Sequence, residues 1–109
     1  MLAMTNIDVA AVLQQWVSAW TPRWRSLSVH ASVRLSEDSE LNKAVVTLDA
    51  ATHLASVTVW GNGMLEFIAL ELATAVEANI TDRECFSVEE LRVLLDDCGA
   101  SFAALVAPR

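Results

Sequence analysis

HLASVTVWGNGMLEFIALEL, residues 53–72, holds two apolar, β-branched runs around a glycine-rich turn, and its register decides the architecture. If Asn62-Gly63 were a two-residue hairpin loop, Val59 would face Glu66 across the ladder. With Gly61-Asn62-Gly63 as a three-residue loop, Val59 meets Leu65, Val57 meets Phe67 and Ala55 meets Ala69, while Thr58 meets Glu66 on the other face. Side chains alternate along a strand, so a one-residue slip exchanges the two faces; the second register keeps apolar opposite apolar. The reading is therefore a hairpin of strands 53–60 and 64–72, with Gly63 in the left-handed position that three-residue loops require.

Working outward, residues 27–35 alternate strictly. Leu27, Val29, Ala31, Val33 and Leu35 take one side; Ser28, His30, Ser32 and Arg34 take the other. That pattern predicts a strand with one buried face. An acidic loop follows, carrying Glu37, Asp38 and Glu40, and then a strand over 43–49 with Ala44, Val46 and Leu48 facing in. Residues 73–85 are weakly patterned, with a short fifth strand around 76–80 as an option. Helices close both ends. Thr5 or Asn6 caps the first, Val9, Val12, Leu13, Trp16 and Trp20 form its stripe, and Pro22 should end it near Trp20. Ser87 and Glu90 have capping-box spacing, and Val88, Leu91, Leu94, Leu95, Cys98, Phe102 and Leu105 make the second stripe, with Gly99 as a bend or break. The expectation is one α+β domain over 1–109: two layers, a helix, four antiparallel strands and a helix, both helices on one face.

Composition restricts the function. The chain has 109 residues, 54% of them hydrophobic, with fourteen acidic residues against seven basic and a net charge of -7. Phosphate binding needs clustered cations, so nucleic acid is not an expected partner; an acidic surface suits a basic protein. No basic leader precedes an apolar run and no helical stretch is long enough to span a bilayer, so the cytoplasm is the expected compartment. Cys85 and Cys98 are too few for a disulfide scaffold and read as reduced, partly buried thiols.

Catalytic signals are poor. His30 sits among serines on a polar strand face, His53 begins a strand beside a turn, and neither has a zinc-ligand spacing with the cysteines. A Gly-rich phosphate loop and the hydrolase and metalloprotease motifs are missing. The expected assignment is therefore no catalytic residue, no metal and no cofactor. What stands out is the second face of the sheet, where Leu54, Trp60, Met64, Ile68 and Leu70 lie beside Ser56, Thr58 and Glu66. Large apolar patches are seldom left open, and Trp and Met are enriched in interface cores. The competing expectation is that a loop or the C-terminal half of the last helix covers this face. The residues expected to contact a partner are Glu37, Asp38, Glu40, Trp60, Met64, Glu66 and Ile68.

Residues 43–66, KAVVTLDAATHLASVTVWGNGMLE, resemble the heart of the TriTu family of bacterial immunity proteins. There a strand ends in V-x-W, a short glycine-containing turn follows, and the next strand has an acidic residue near its start; Val57-Thr58-Val59-Trp60, Gly63 and Glu66 match. Leu48-Asp49, His53-Leu54-Ala55, the leading Trp-bearing helix and the closing Ser87-Val88-Glu89-Glu90-Leu91 helix fit as well, whereas Thr74-Ala75-Val76 stands where that family has a T-G-x turn. The resemblance implies neutralisation of a cognate toxin of a polymorphic or type VI secretion system, an ADP-ribosyltransferase acting on elongation factor Tu. Two other classes compete: a secretion chaperone or adaptor that binds a client segment, generally as a homodimer, and a small hydrolase that reverses a modification.

Overall fold

A computed structural model describes residues 8–35, 43–84 and 87–107. The order is α1 (Val9–Ser26), β1 (His30–Leu35), β2 (Lys43–Asp49), β3 (His53–Trp60), β4 (Met64–Glu71), β5 (Val76–Glu84) and α2 (Val88–Val106). The strands form one antiparallel meander, β1-β2-β3-β4-β5, and both helices pack on the same side of it. The α+β two-layer expectation holds, except that the described residues form a sheet of five strands where four were expected. Residues 76–80 belong to a longer strand, Val76–Glu84, that takes in Asp82 and Glu84 from the weakly patterned stretch before the last helix. Among the described residues it is an edge strand, paired with β4 alone, which accounts for its weak apolar alternation.

The deciding hairpin has the expected register. Val59 pairs with Leu65, Val57 with Phe67 and Ala55 with Ala69, all buried, while Thr58 pairs with Glu66 on the far face. Gly63 has φ 97°, its N–H donates to Trp60 O at 3.0 Å, and Asn62 Oδ1 accepts from Met64 N at 3.1 Å. At the next turn Ala75 takes the same left-handed region, φ 56°. Local bonds hold it there: Ala75 N donates to Glu71 O at 2.8 Å, and Thr74 Oγ1 donates to Glu71 Oε1 at 3.0 Å.

The first helix departs most from expectation. Asp8, not Thr5 or Asn6, is its cap, accepting from Ala11 N at 3.0 Å; those other two residues lie outside the described set. Nor does Pro22 end it. The helix runs six residues past Trp20 to Ser26, and Trp24 is fully buried, 1% exposed. Trp24 stacks on Trp20 at 4.9 Å and meets Trp16 and Phe102 edge-on at 6.3 and 6.2 Å. Burying that ring is worth more than the hydrogen bond proline forfeits, and Ser18, whose carbonyl loses the donor, is exposed to water. The helix then stops in a Schellman turn. Ser28, at φ 59°, occupies the usual glycine position; Ser28 N donates to Arg25 O and Val29 N to Trp24 O. Leu27 and Ser28 thus belong to this turn, and β1 begins only at His30.

The second helix follows its stripe. Ser87 Oγ accepts from Glu90 N at 3.1 Å, and Leu91, Leu95, Cys98, Phe102 and Ala103 are buried. Gly99 does not end the helix, which continues to Val106. It lets the Trp20 ring lie against the backbone: a Cβ there would come within 2.9 Å of Trp20 Cε2 and Cζ2. The same ring donates Nε1–H to Asp96 Oδ1 at 2.9 Å, tying α1 to α2. Between helices and sheet lies one core, in which Leu13, Trp24, Val46, Leu48, Val57, Val59, Leu65, Phe67, Leu91, Leu95 and Phe102 are shielded from water.

Candidate functional site

The face of the sheet turned away from the helices is crossed by none of the described helices or strands, against the expectation that the end of α2 might cover it. Register lays its side chains out in rows. One runs Arg34, Val45, Thr58, Glu66 and Asp82; a second runs Ser32, Thr47, Ser56 and Ile68; a third runs His30, Asp49, Leu54, Leu70 and Glu77. At the hairpin end Lys43 pairs with Trp60 and Met64 with Glu84.

Four of the expected partner residues, Trp60, Met64, Glu66 and Ile68, come together here, each half-buried. Glu37, Asp38 and Glu40 lie outside the described residues. The face is apolar in the middle, through Val45, Trp60, Met64, Ile68 and Leu70, and Leu54 is 37% exposed. Thr58, at 9%, is sunk among its neighbours at the centre. Charge is set at the margins. Arg34 and Lys43 stand on the β1–β2 side, whereas Glu66, Asp82 and Glu84 stand on the β4–β5 side. Sequence reading missed Arg34, Lys43, Asp82 and Glu84 as members of one surface, since only strand order makes them neighbours of this patch. Lys43 was visible as the chain's single lysine, the one signal available.

A second place with chemistry lies at the end of the sheet under the C-terminus of α2. There Ala51, Thr52, His53, Glu71, Leu72 and Leu105 help line an open cleft of about 660 Å³. His53, read from sequence as no better a candidate than a surface histidine, is buried at 8% exposure, with Nδ1 2.8 Å from Thr52 Oγ1. Its cross-strand neighbour is Glu71, whose Oε1 is engaged by Thr74. A hydroxyl beside an imidazole is the start of a nucleophile–base pair, and the cross-strand carboxylate, Glu71, accepts from Thr74 through Oε1. Among the described residues, no group of three or more His, Cys, Asp or Glu side chains is placed to hold a metal ion.

A third depression, of about 200 Å³, runs between the helices and is lined by Gln15, Trp16, Arg92 and Asp96. Arg92 Nη2 reaches Gln15 Oε1 at 3.4 Å. The indole N–H groups of Trp16 and Trp24 are buried without a hydrogen-bond partner, a cost the aromatic cluster carries in exchange for its apolar contacts.

The fold and face together define a two-layer α+β domain with one open, mixed apolar and charged sheet surface. No helix of the described residues is long and apolar enough to cross a membrane. No protein-family model matches the sequence, and no curated protein matches it significantly.

Proposed function

We propose that the protein is an immunity protein that binds and neutralises a cognate secreted antibacterial toxin, acting in the cytoplasm as a stoichiometric inhibitor and not as an enzyme. The observation that carries this reading is the open sheet face, where Trp60, Met64 and Ile68 form an apolar centre beside Glu66, Asp82 and Glu84. Apolar anchors ringed by charge are the anatomy of a protein interface, and an acidic rim speeds encounter with a basic partner. The resemblance of residues 43–66 to the TriTu family points to the toxin class, an ADP-ribosyltransferase that modifies elongation factor Tu. In this mechanism the face docks on the toxin's catalytic domain and closes its NAD or substrate cleft, with the Glu37, Asp38 and Glu40 segment adding acidic contacts. Inhibition then requires complementary shape and charge only.

The test is co-expression with the toxin domain encoded beside this gene, scoring growth rescue and co-purification for the native chain and for Trp60→Ala combined with Glu66→Lys. Rescue with a one-to-one complex, both lost in the variant, is the expected outcome. Rescue without any complex would replace inhibition with enzymatic reversal of the damage. Absence of rescue, with binding to an isolated non-catalytic segment of the effector, would make the protein a chaperone.

A further inference from the structure

The charge on the open face is arranged so that the face complements itself. Its basic groups, Arg34 and Lys43, lie on β1 and β2; four of its acidic groups, Glu66, Glu77, Asp82 and Glu84, lie on β4 and β5, with Asp49 alone on β2; and β3 runs between them, carrying Leu54, Ser56, Thr58 and Trp60. We propose that this face is also an interface between two copies of the chain, stacked sheet on sheet about a two-fold axis parallel to β3.

The choice of axis follows from the charges. A two-fold axis lying in the interface along β3 places β3 over its own copy and reverses strand order, so β1 of each copy lies over β5 of the other. Distance along the strands is preserved, so each row faces itself: Arg34 meets Asp82 of the second copy, and His30 meets its Glu77. Lys43 comes over Met64, between Glu66 and Glu84, while Thr58 meets Thr58 and Trp60 meets Trp60 on the axis. An axis perpendicular to the strands would instead lay β5 on β5 and crowd Glu77, Asp82 and Glu84 against one another, a like-charge contact that disfavours it. Asp49 is the exception to the segregation; in the chosen arrangement it lies over Leu70, a neutral partner.

Size permits this pairing. Five strands of at least six residues, about 4.8 Å apart with a rise of about 3.4 Å per residue, make a patch of roughly 24 by 20 Å. Side-chain relief raises its accessible area toward the ~800 Å² per partner of a standard interface. The aligned packing of two twisted sheets is the ordinary geometry of a β-sandwich, with an interior of side chains about 10 Å thick. This inference does not rest on the toxin reading. If both hold, the dimer and the toxin complex compete for one face.

Sedimentation velocity on the full chain, over a micromolar to submillimolar series, tests the dimer. Near-physiological salt is the suitable condition, because the net charge of -7 per copy repels at long range and is screened there beyond about 8 Å. The native chain is expected to dimerise. Arg34→Glu and Asp82→Arg each place like charges together twice per dimer and should each weaken association by roughly tenfold or more; the double exchange should restore it. Both positions are exposed, and circular dichroism checks that every variant stays folded. A native chain that stays monomeric throughout overturns the proposal. So does a dimer indifferent to either reversal, or one that the double exchange fails to rescue.

Discussion

Gly99→Ala sets two known effects against each other, and the structure decides the winner. In an ordinary helix interior, replacing glycine by alanine gains about 1 kcal/mol. Here the new methyl group would stand 2.9 Å from two carbons of Trp20, so the ring has to move. Three contacts hold it: the stack on Trp24 at 4.9 Å, the Nε1–H bond to Asp96 at 2.9 Å and Arg23 over its face at 5.5 Å. Overpacking of this kind costs about 1–3 kcal/mol, and losing the bond to the carboxylate adds about 1 kcal/mol at a partly exposed site. The net expectation is destabilisation of about 1–3 kcal/mol, or a fall in Tm of roughly 4–8 °C per kcal/mol. Urea unfolding followed by far-ultraviolet circular dichroism measures it without relying on indole fluorescence. In a Trp20→Ala background the obstacle is gone, so Gly99→Ala should stabilise by about 0.5–1 kcal/mol. The coupling between the two sites is then about 1.5–4 kcal/mol. If Gly99→Ala stabilises the native protein, or acts equally in both backgrounds, the close helix–helix approach is not what this glycine is for.

Other expectations follow from single positions. Ser28→Gly and Ala75→Gly relieve left-handed backbone at φ 59° and 56° and should each raise stability, by about 1 kcal/mol in denaturant melts. Gly63→Ala, at φ 97°, should lower it by a similar amount. Trp24→Ala empties the centre of the aromatic cluster and should cost about 3–5 kcal/mol, enough to leave little folded protein at physiological temperature. Ile68→Lys, on the open face, should change the urea midpoint little while abolishing capture of the toxin domain in a pull-down; a large stability loss would mean that this face is core and not interface.

Much of the architecture was legible because local patterns and the final packing agree. Strands β2 and β3 and the three-residue loop between β3 and β4 follow from alternation and from one choice of register. Ser87 caps α2 where the Ser-x-x-Glu spacing places it. Half of the candidate site was legible for the same reason: once register assigns Val57 and Phe67 to the core, Trp60, Met64, Glu66 and Ile68 must share the opposite face.

Tertiary structure decided what no window of sequence contains. Pro22 argues locally for a helix end, yet α1 continues because Trp24 fills a space that Trp16, Trp20 and Phe102 create together. Strand β5 is held by its ladder to β4 more than by its own alternation, so its length emerged only with its partner. Gly99 reads as a helix fault until the ring from the other helix is in place. The opposition of Arg34 and Lys43 to Glu66, Asp82 and Glu84 across one surface is likewise a product of strand order. Alternation and capping depend on neighbours a few residues apart, so the sequence by itself determined β2, β3, β4 and α2 and the faces they turn inward. Residues far apart in the chain and close in space determine where a helix may continue, how tightly two helices approach and which charges share a face; those were settled only by folding.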